Sequence, residues 1–442
     1  MISLAFAAPA LSDLRAALDD ATLESAAILL CEPVLEGAQA RILVKKAYVA
    51  SDQDYLERSA ARVSLDPKFC LPIEKAAKQS GLSLVYVHTH PTAGHPDFSF
   101  EDDATEAKLA EYLGWRCPGV PHMALLFPKD APPRCRVLGS AQPVRVLEIG
   151  ANLVSATEDS QQPDTDRFDR QIRAFGKDGQ QRIAALQVGI VGLGGTGSIV
   201  AQQLAHLGIQ RFLLIDPDEI EISNLNRVVG ATPADVGQTK VAIAGRMIRH
   251  IRSDADVVAI VGDVTTRSVA RRLSRTDFIF CCTDTHASRH TINQLAYQYL
   301  IPAIDLGVAI GASGDQTTIG SHVQMLAPNL PCLWCSNHLN AHRIREELMT
   351  EEQRTADPYF ENGTGVEQPA VISLNGTTAS LAITMFLSTV AGIPSRPRYL
   401  AYDAVRGRMN ALAVTANPDC PFCGSDSTLG VGDRAPLPGR PE

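Results

Sequence analysis

Residues 188–218 read VGIVGLGGTGSIVAQQLAHLGIQRFLLIDPD, from Val188 to Asp218, and their reading decides the fold. A short apolar strand runs into Gly192, Gly194 and Gly197 in G-x-G-x-x-G spacing. A helix is expected next, with Ile199, Val200, Leu204 and Leu207 on one face and Gly208 as its stop. A second apolar strand, Arg211 to Ile215, ends on Asp216. In such a strand–turn–helix–strand unit the glycines let the backbone approach a phosphate at the helix N-terminus. The acidic residue sits where a ribose hydroxyl needs an acceptor. The motif alone says nucleotide, and a dinucleotide dehydrogenase fits these residues as well as other nucleotide-binding enzymes do.

With 442 residues the chain is too long for one ordinary core, so two domains are expected. A formal charge of −9 argues against nucleic acid or an anionic membrane as a partner. No apolar run approaches the ~20 residues of a membrane span. The opening MISLAFAAPALSD lacks the basic start of a signal peptide and reads as a strand followed by a helix, Leu11 to Leu18. Of ten cysteines, four form two C-x-x-C pairs and the others are scattered, which suits a reducing cytoplasm.

Within residues 1–150 the informative stretch is LVYVHTHPTAGHPDFSFEDD. An apolar strand from Leu84 to Val87 runs into His88 and His90, which share a face at i and i+2 and can reach one ion. Pro91 ends the strand, and a loop leads to Ser99, Asp102 and a helical pattern. Two imidazoles and a carboxylate make a three-ligand zinc site with a fourth position for water. Ser99-x-x-Asp102 also reads as a helix-capping box. Further strands are expected at Ala40–Val49, His122–Pro128 and Val144–Ile149.

The spacing H-x-H-P-x7-S-x-x-D resembles the JAMM (MPN+) metalloprotease motif, whose members cleave ubiquitin-like or small modifier proteins at or beyond their C-termini. The resemblance implies an α/β, cytidine-deaminase-like domain in which His88, His90 and Asp102 hold zinc and Ser99 steadies the oxyanion. It also requires an upstream glutamate as general base. Glu24, at the opening of a strand, is the best match, with Glu32 and Glu36 as competitors.

A polar, acidic linker is expected over residues 151–166, and the tail from 425 to 442 is expected to be disordered. Between them, residues 167–424 carry signals beyond the glycine turn. These are a basic stretch containing Arg170, then Asp216 and Asp218 before Ser223-Asn224-Leu225-Asn226-Arg227. Lys240 follows at a helix start, and Cys281-Cys282-Thr283-Asp284 at a strand end. Arginine, lysine and a second aspartate converging on phosphates suit an enzyme acting on a triphosphate, where phosphoryl charge must be balanced.

The ordered motifs R-Q, G-x-G-G-x-G, D-x-D, S-N-L-x-R, G-x-x-K and C-T-D resemble the ThiF/MoeB/HesA group, relatives of ubiquitin-activating enzymes. The resemblance implies a Rossmann-like, mixed-sheet domain that adenylates the C-terminal carboxylate of a ubiquitin-like protein with ATP and Mg²⁺. Gly192, Gly194, Gly195 and Gly197 then belong to the phosphate-binding turn and Asp216, with Asp218 beside it, holds the ribose. Asn224, Arg227 and Lys240 contact the triphosphate, and Asp284 positions Mg²⁺. Arg170 is the analogue of an arginine that enters a partner subunit's site, which implies a homodimer.

Cys332, Cys335, Cys420 and Cys423 have the ligand count of a closed, structural zinc site, although two C-x-x-C pairs can also be redox pairs. Relatives that pass the modifier to their own thiol carry a cysteine in the loop after the first pair, here near Glu361. This chain has no cysteine between Cys335 and Cys420. The leading expectation is a bifunctional enzyme of a bacterial ubiquitin-like pathway, activating a modifier and processing it, with an E2-like conjugating protein as a further partner. The alternatives are activation of a sulfur-carrier protein for thiocarboxylate formation, and a non-catalytic modifier-binding scaffold.

Overall fold

The computed structural model describes residues 2–37, 39–156, 166–313, 316–350, 352–353, 369–424 and 427–440. The chain forms two compact units, Met1–Asp159 with Gly430–Ala435, and Ser160–Leu429 with Pro436–Glu442.

The first unit runs β1 (Ile2–Ala7), α1 (Ala10–Ala17), β2 (Ala26–Glu36), β3 (Gln39–Val49), β4 (Tyr55–Arg58), β5 (Val63–Leu65), α2 (Pro67–Ser80) and β6 (Ser83–His90). It continues with α3 (Phe100–Arg116), β7 (Met123–Pro128), β8 (Arg134–Val137), β9 (Arg145–Ile149) and β10 (Leu153–Ser155). Eight strands form one mixed sheet in the order β10-β9-β1-β3-β2-β6-β7-β8. Alternation along β2 sorts its side chains between two cores. Ala27, Leu29 and Cys31 join Leu11, Leu14 and Leu18 around α1, while Ile28 joins Ile73, Ala77 and Leu113 of α2 and α3. The expected strands and the first helix form within a residue or two of their expected bounds. At the start of the expected linker Leu153–Ser155 instead pairs antiparallel with β9 and extends the sheet, while residues 157–165 lie outside the described residues.

In the second unit α4 (Asp169–Ala185) leads to β11 (Gln187–Val191), α5 (Gly195–Leu207), β12 (Arg211–Asp216), α6 (Lys240–Ile251), β13 (Asp256–Val261), α7 (Arg267–Arg272) and β14 (Phe278–Cys281). Then come α8 (His286–Gln298), β15 (Ala303–Ser313), β16 (Gln316–Leu326), α9 (Ala341–Leu348), α10 (Ile372–Val390), β17 (Tyr399–Asp403) and β18 (Arg408–Ala411). The sheet order is β13-β12-β11-β14-β15-β16-β17-β18. The first five strands are parallel and the last three antiparallel. β12 and β14 are nearly continuous apolar runs because helices cover both faces of the parallel part. Phe386 of α10 packs edge-on against Phe278 of β14, ring centroids 4.9 Å apart. Strand order reverses between β11 and β14, and ligands of such sheets bind outside the strand C-termini at that switch. The glycine turn follows β11 and Asp284 follows β14, so the switch carries both.

The tail beyond Gly424 differs from the expectation of disorder over its described residues. In the first unit Arg434 pairs with Glu32 and donates to the Ser80 carbonyl. In the second, Arg440 N donates to Thr265 O at 2.7 Å and Leu437 is buried.

Candidate functional site

In the second unit, Gly194 caps α5 at its N-terminus and Gly208, at φ +103°, ends it. Gly197 packs so closely under the turn that a Cβ there would lie 1.8 Å from the Gly192 carbonyl oxygen. A Cβ at Gly194 would meet nothing within 4 Å among the described residues, which leave that face of the turn open.

Charged side chains gather around this turn. Arg227 comes close enough that its Cδ would lie 3.4 Å from a Cβ on Gly195. Its Nη1 donates to Ser223 O at 2.5 Å and to Asn226 Oδ1 at 3.2 Å. Lys240 opens α6 and folds back, Nζ donating to Asp218 Oδ2 at 2.7 Å. Gly192 abuts the residues before Asp284, since a Cβ there would lie 2.7 Å from Cys282 O and 3.1 Å from Thr283 N. Asp284 itself is exposed. The expected nucleotide residues therefore meet at one place.

Two of them are engaged within the chain itself. Asp216 is buried, and its carboxylate accepts from Leu193 N at 2.5 Å and Asp218 N at 2.9 Å. Burial raises its pKa, with the Leu193 amide pulling the other way. Asp216 thus braces the glycine turn, and the outward carboxylate belongs to Asp218, whose side chain is 59% exposed. Asn224 is also buried, its amide folded back on its own turn beside Ser223 and Glu221. Arg170 is exposed on α4.

A buried charge network backs the Asp284 turn. Arg289 of α8 donates from Nε and Nη2 to Thr283 O at 3.3 and 3.1 Å. Its guanidinium faces the fully buried Asp305 at 3.5 Å, and Asp305 Oδ2 lies 2.7 Å from His322 Nε2. Gly307 leaves room for both side chains, since its Cβ would lie 2.5 Å from Arg289 Nη2 and 2.9 Å from His322 Cε1. Sequence spacing gave no sign of this network, whose members come from α8 and two different strands.

The four cysteines converge as expected. Cys332 Sγ lies 3.8 Å from Cys335 Sγ and 3.5 Å from Cys420 Sγ, and Cys335 Sγ lies 3.6 Å from Cys423 Sγ. A tetrahedral ion with Zn–S bonds of about 2.3 Å holds its sulfurs about 3.8 Å apart, so the set fits zinc. Trp334 and Phe422, one from each pair, stack at 6.1 Å, and His290 meets both edge-on. Asn293 accepts from Leu333 N at 2.8 Å, pinning the first knuckle to α8. The crossover-loop position near Glu361 lies outside the described residues.

In the first unit His88 and His90 project from the end of β6, and Asp102 from the first turn of α3. Asp102 Oδ1 is 3.3 Å from His88 Nε2, and Oδ2 is 3.6 Å from His90 Nε2. Nitrogen and oxygen ligands about 2.0–2.1 Å from a tetrahedral zinc are about 3.4 Å apart, which these distances match. His88 Nε2 is buried without a hydrogen-bond partner among the described residues. His90 Nδ1 donates to His95 O at 3.1 Å, which turns Nε2 toward the cluster. Burial opposes ionisation of Asp102, but the His88 and His90 imidazoles beside it, with the Ser99 amide, outweigh it and hold its pKa low.

Glu24 lies just before β2 rather than within it, buried, with Oε1 3.9 Å from His90 Nε2. Burial pushes its pKa up, partly opposed by His88 and His90. Its competitor Glu32 is occupied by Arg434. The capping box forms in full, with Ser99 Oγ donating to Asp102 Oδ2 at 2.7 Å and accepting from Asp102 N. The Ser99 hydroxyl thus pairs with Asp102, as the capping-box reading expects.

The ThiF family model matches residues 168–422, more than half of the chain. The chain belongs to the ThiF family. Among ThiF-family relatives, the molybdopterin-synthase adenylyltransferase of Escherichia coli K12 is 28% identical over 263 residues, 58% of this chain and 96% of that protein. The sulfur carrier protein ThiS adenylyltransferase of the same organism is 27% identical over 268 residues, 59% and 96% of the two chains. The sulfur carrier protein adenylyltransferase of Thermus thermophilus is 28% identical over 268 residues, 60% and 92%. A crystal structure of E. coli MccB with ATP aligns at 19% identity and a TM-score of 0.46, over 59% of this chain and 74% of that one.

Proposed function

We propose that the second unit uses ATP to adenylate the C-terminal carboxylate of a small carrier protein, releasing pyrophosphate. A sulfur-carrier protein is the substrate class that the named adenylyltransferase relatives support, in preference to a ubiquitin-like conjugation modifier. The observation that carries the reading is the meeting of the open glycine turn with Arg227 and the Asp218–Lys240 pair at the sheet's switch point. The carboxylate attacks the α-phosphate, and charge accumulates on the phosphoryl oxygens. Arg227, Lys240 and the free N–H groups of α5 offset that charge. Asp218 accepts from the ribose, Asp216 keeps the turn in shape, and Asp284 orients the Mg²⁺ that arrives with the nucleotide. Arg170 serves a second copy of the chain in a homodimer. With no cysteine between Cys335 and Cys420, the acyl-adenylate leaves to an external sulfur nucleophile. Transfer to an E2-like protein would share the adenylation step. Pyrophosphate exchange into ATP in the presence of a carrier tests the reading: Lys240→Ala should lower it by about 100-fold or more, and exchange at the wild-type rate would refute it.

We infer further that the first unit is a JAMM-type hydrolase with a cytidine-deaminase-like α/β fold, acting on a carrier precursor or conjugate. His88, His90 and Asp102 would hold a zinc ion, which supplies a Lewis acid at neutral pH. Glu24 is placed beside them to take a proton from water and return it to the leaving amine. The Cys332, Cys335, Cys420 and Cys423 set holds a structural zinc. A reducing compartment such as the cytoplasm suits ten unpaired thiols.

A further inference from the structure

α10 lies alongside α5, and the pairs along the contact give its direction. Asn375 faces Gly195, Gly376 faces Ile199, and Ser380 Oγ accepts from Gln203 Nε2 at 3.0 Å. Both chains ascend together, so the helices run parallel and their N-terminal ends lie at the same end. Two positive dipole ends thus meet at the glycine turn. Asn375 is the fourth residue of α10, and its amide nitrogen lies 2.1 Å from where a Cβ on Gly195 would be. Any side chain on residue 195 would expel that amide. Asn375 is only 4% exposed, yet its side chain makes no hydrogen bond to any described residue. The residue is buried but its amide is not sealed from solvent, so the unpaired donor stands available to a ligand at the glycine turn.

We propose that Asn375 is a nucleotide-binding residue, its amide donating to a phosphate oxygen of ATP over the first turn of α5. This rests on the adenylation reading above. A neutral donor suits the place, because Arg227 and Lys240 already supply charge while the amide adds direction. It also explains why residue 195 is glycine.

The test is calorimetric binding of the α,β-methylene analogue of ATP with Mg²⁺ to the full chain, with thermal unfolding measured in parallel. Asn375→Ala should weaken binding by about 10- to 100-fold, the value of a hydrogen bond to a charged group. Asn375→Asp, of equal size, should weaken it more, because a carboxylate then faces the phosphates. Asn375→Ser covers the case in which alanine prevents folding. Affinity within about twofold of wild type in the folded variants, with or without a lower melting temperature, would overturn the proposal. A wild-type chain that binds no nucleotide would instead remove the adenylation reading itself.

Discussion

Replacing Asp305 with asparagine probes how the second unit holds the turn that carries Asp284. Burial alone would push the Asp305 carboxyl up, but Arg289 and His322 outweigh it and bring its pKa down to about 2 from an ordinary 3.8. That difference corresponds to about 2 kcal/mol of stability. Its sign is that of a depressed carboxylate: the contribution is complete above about pH 4 and is lost as pH falls toward 2. Asparagine removes the charge at every pH and leaves the Arg289 guanidinium, 14% exposed, without its counterion. Breaking a buried pair from one side costs about 3–5 kcal/mol. The freed guanidinium also loosens its hold on Thr283 O, so pyrophosphate exchange should fall along with stability. The assay is urea unfolding followed by tryptophan fluorescence in a Trp115→Phe background. Trp115 is 74% exposed in the first unit, and of the two tryptophans its removal leaves Trp334 to report on the second. The midpoint should drop by on the order of 1–2 M at pH 7, and the variant should lose the acid-labile stability that the parent shows below pH 4. A variant within about 0.5 kcal/mol of its parent at pH 7 would refute the reasoning.

Further outcomes follow from the two candidate metal sites. Glu24→Gln should abolish hydrolysis of a C-terminally extended carrier while pyrophosphate exchange continues; hydrolysis at the parental rate, measured by mass spectrometry, would exclude Glu24 as the base. Metal analysis should find one zinc for each of the two ligand sets, with Cys420→Ser losing one and His88→Ala the other. Because a closed thiolate site contributes directly to folding, Cys420→Ser should also lower the melting temperature of the second unit, which His88→Ala should leave alone.

Sequence made the two metal sets legible because each follows a local rule. His88 and His90 obey the strand period, and each cysteine pair sits in one knuckle. The glycine turn, Arg227, Lys240 and Asp284 were legible through their order along the chain. Asp216 was harder: it and Asp218 differ by two residues at a strand end, and only the Leu193 and Asp218 amides show which carboxylate turns inward. Asn375 follows the glycine turn by about 180 residues and sits in a helix that reads as apolar packing, so no spacing points to it. The tail reads as disordered from its glycines and prolines, but Arg434, Leu437 and Arg440 each find a partner or a buried place.

Transfer of AMP to a carrier's C-terminal carboxylate at the glycine turn can be observed directly. The chain is incubated with Mg²⁺, ATP labelled at the α-phosphate and small sulfur-carrier proteins, and the carriers are then resolved by mass and label. The expected product of the proposed adenylation is a carrier heavier by one AMP and bearing the label, with no adduct when its C-terminal carboxylate is amidated. Label on an amidated carrier, or pyrophosphate released with every intact carrier unlabelled and unconsumed, would contradict it.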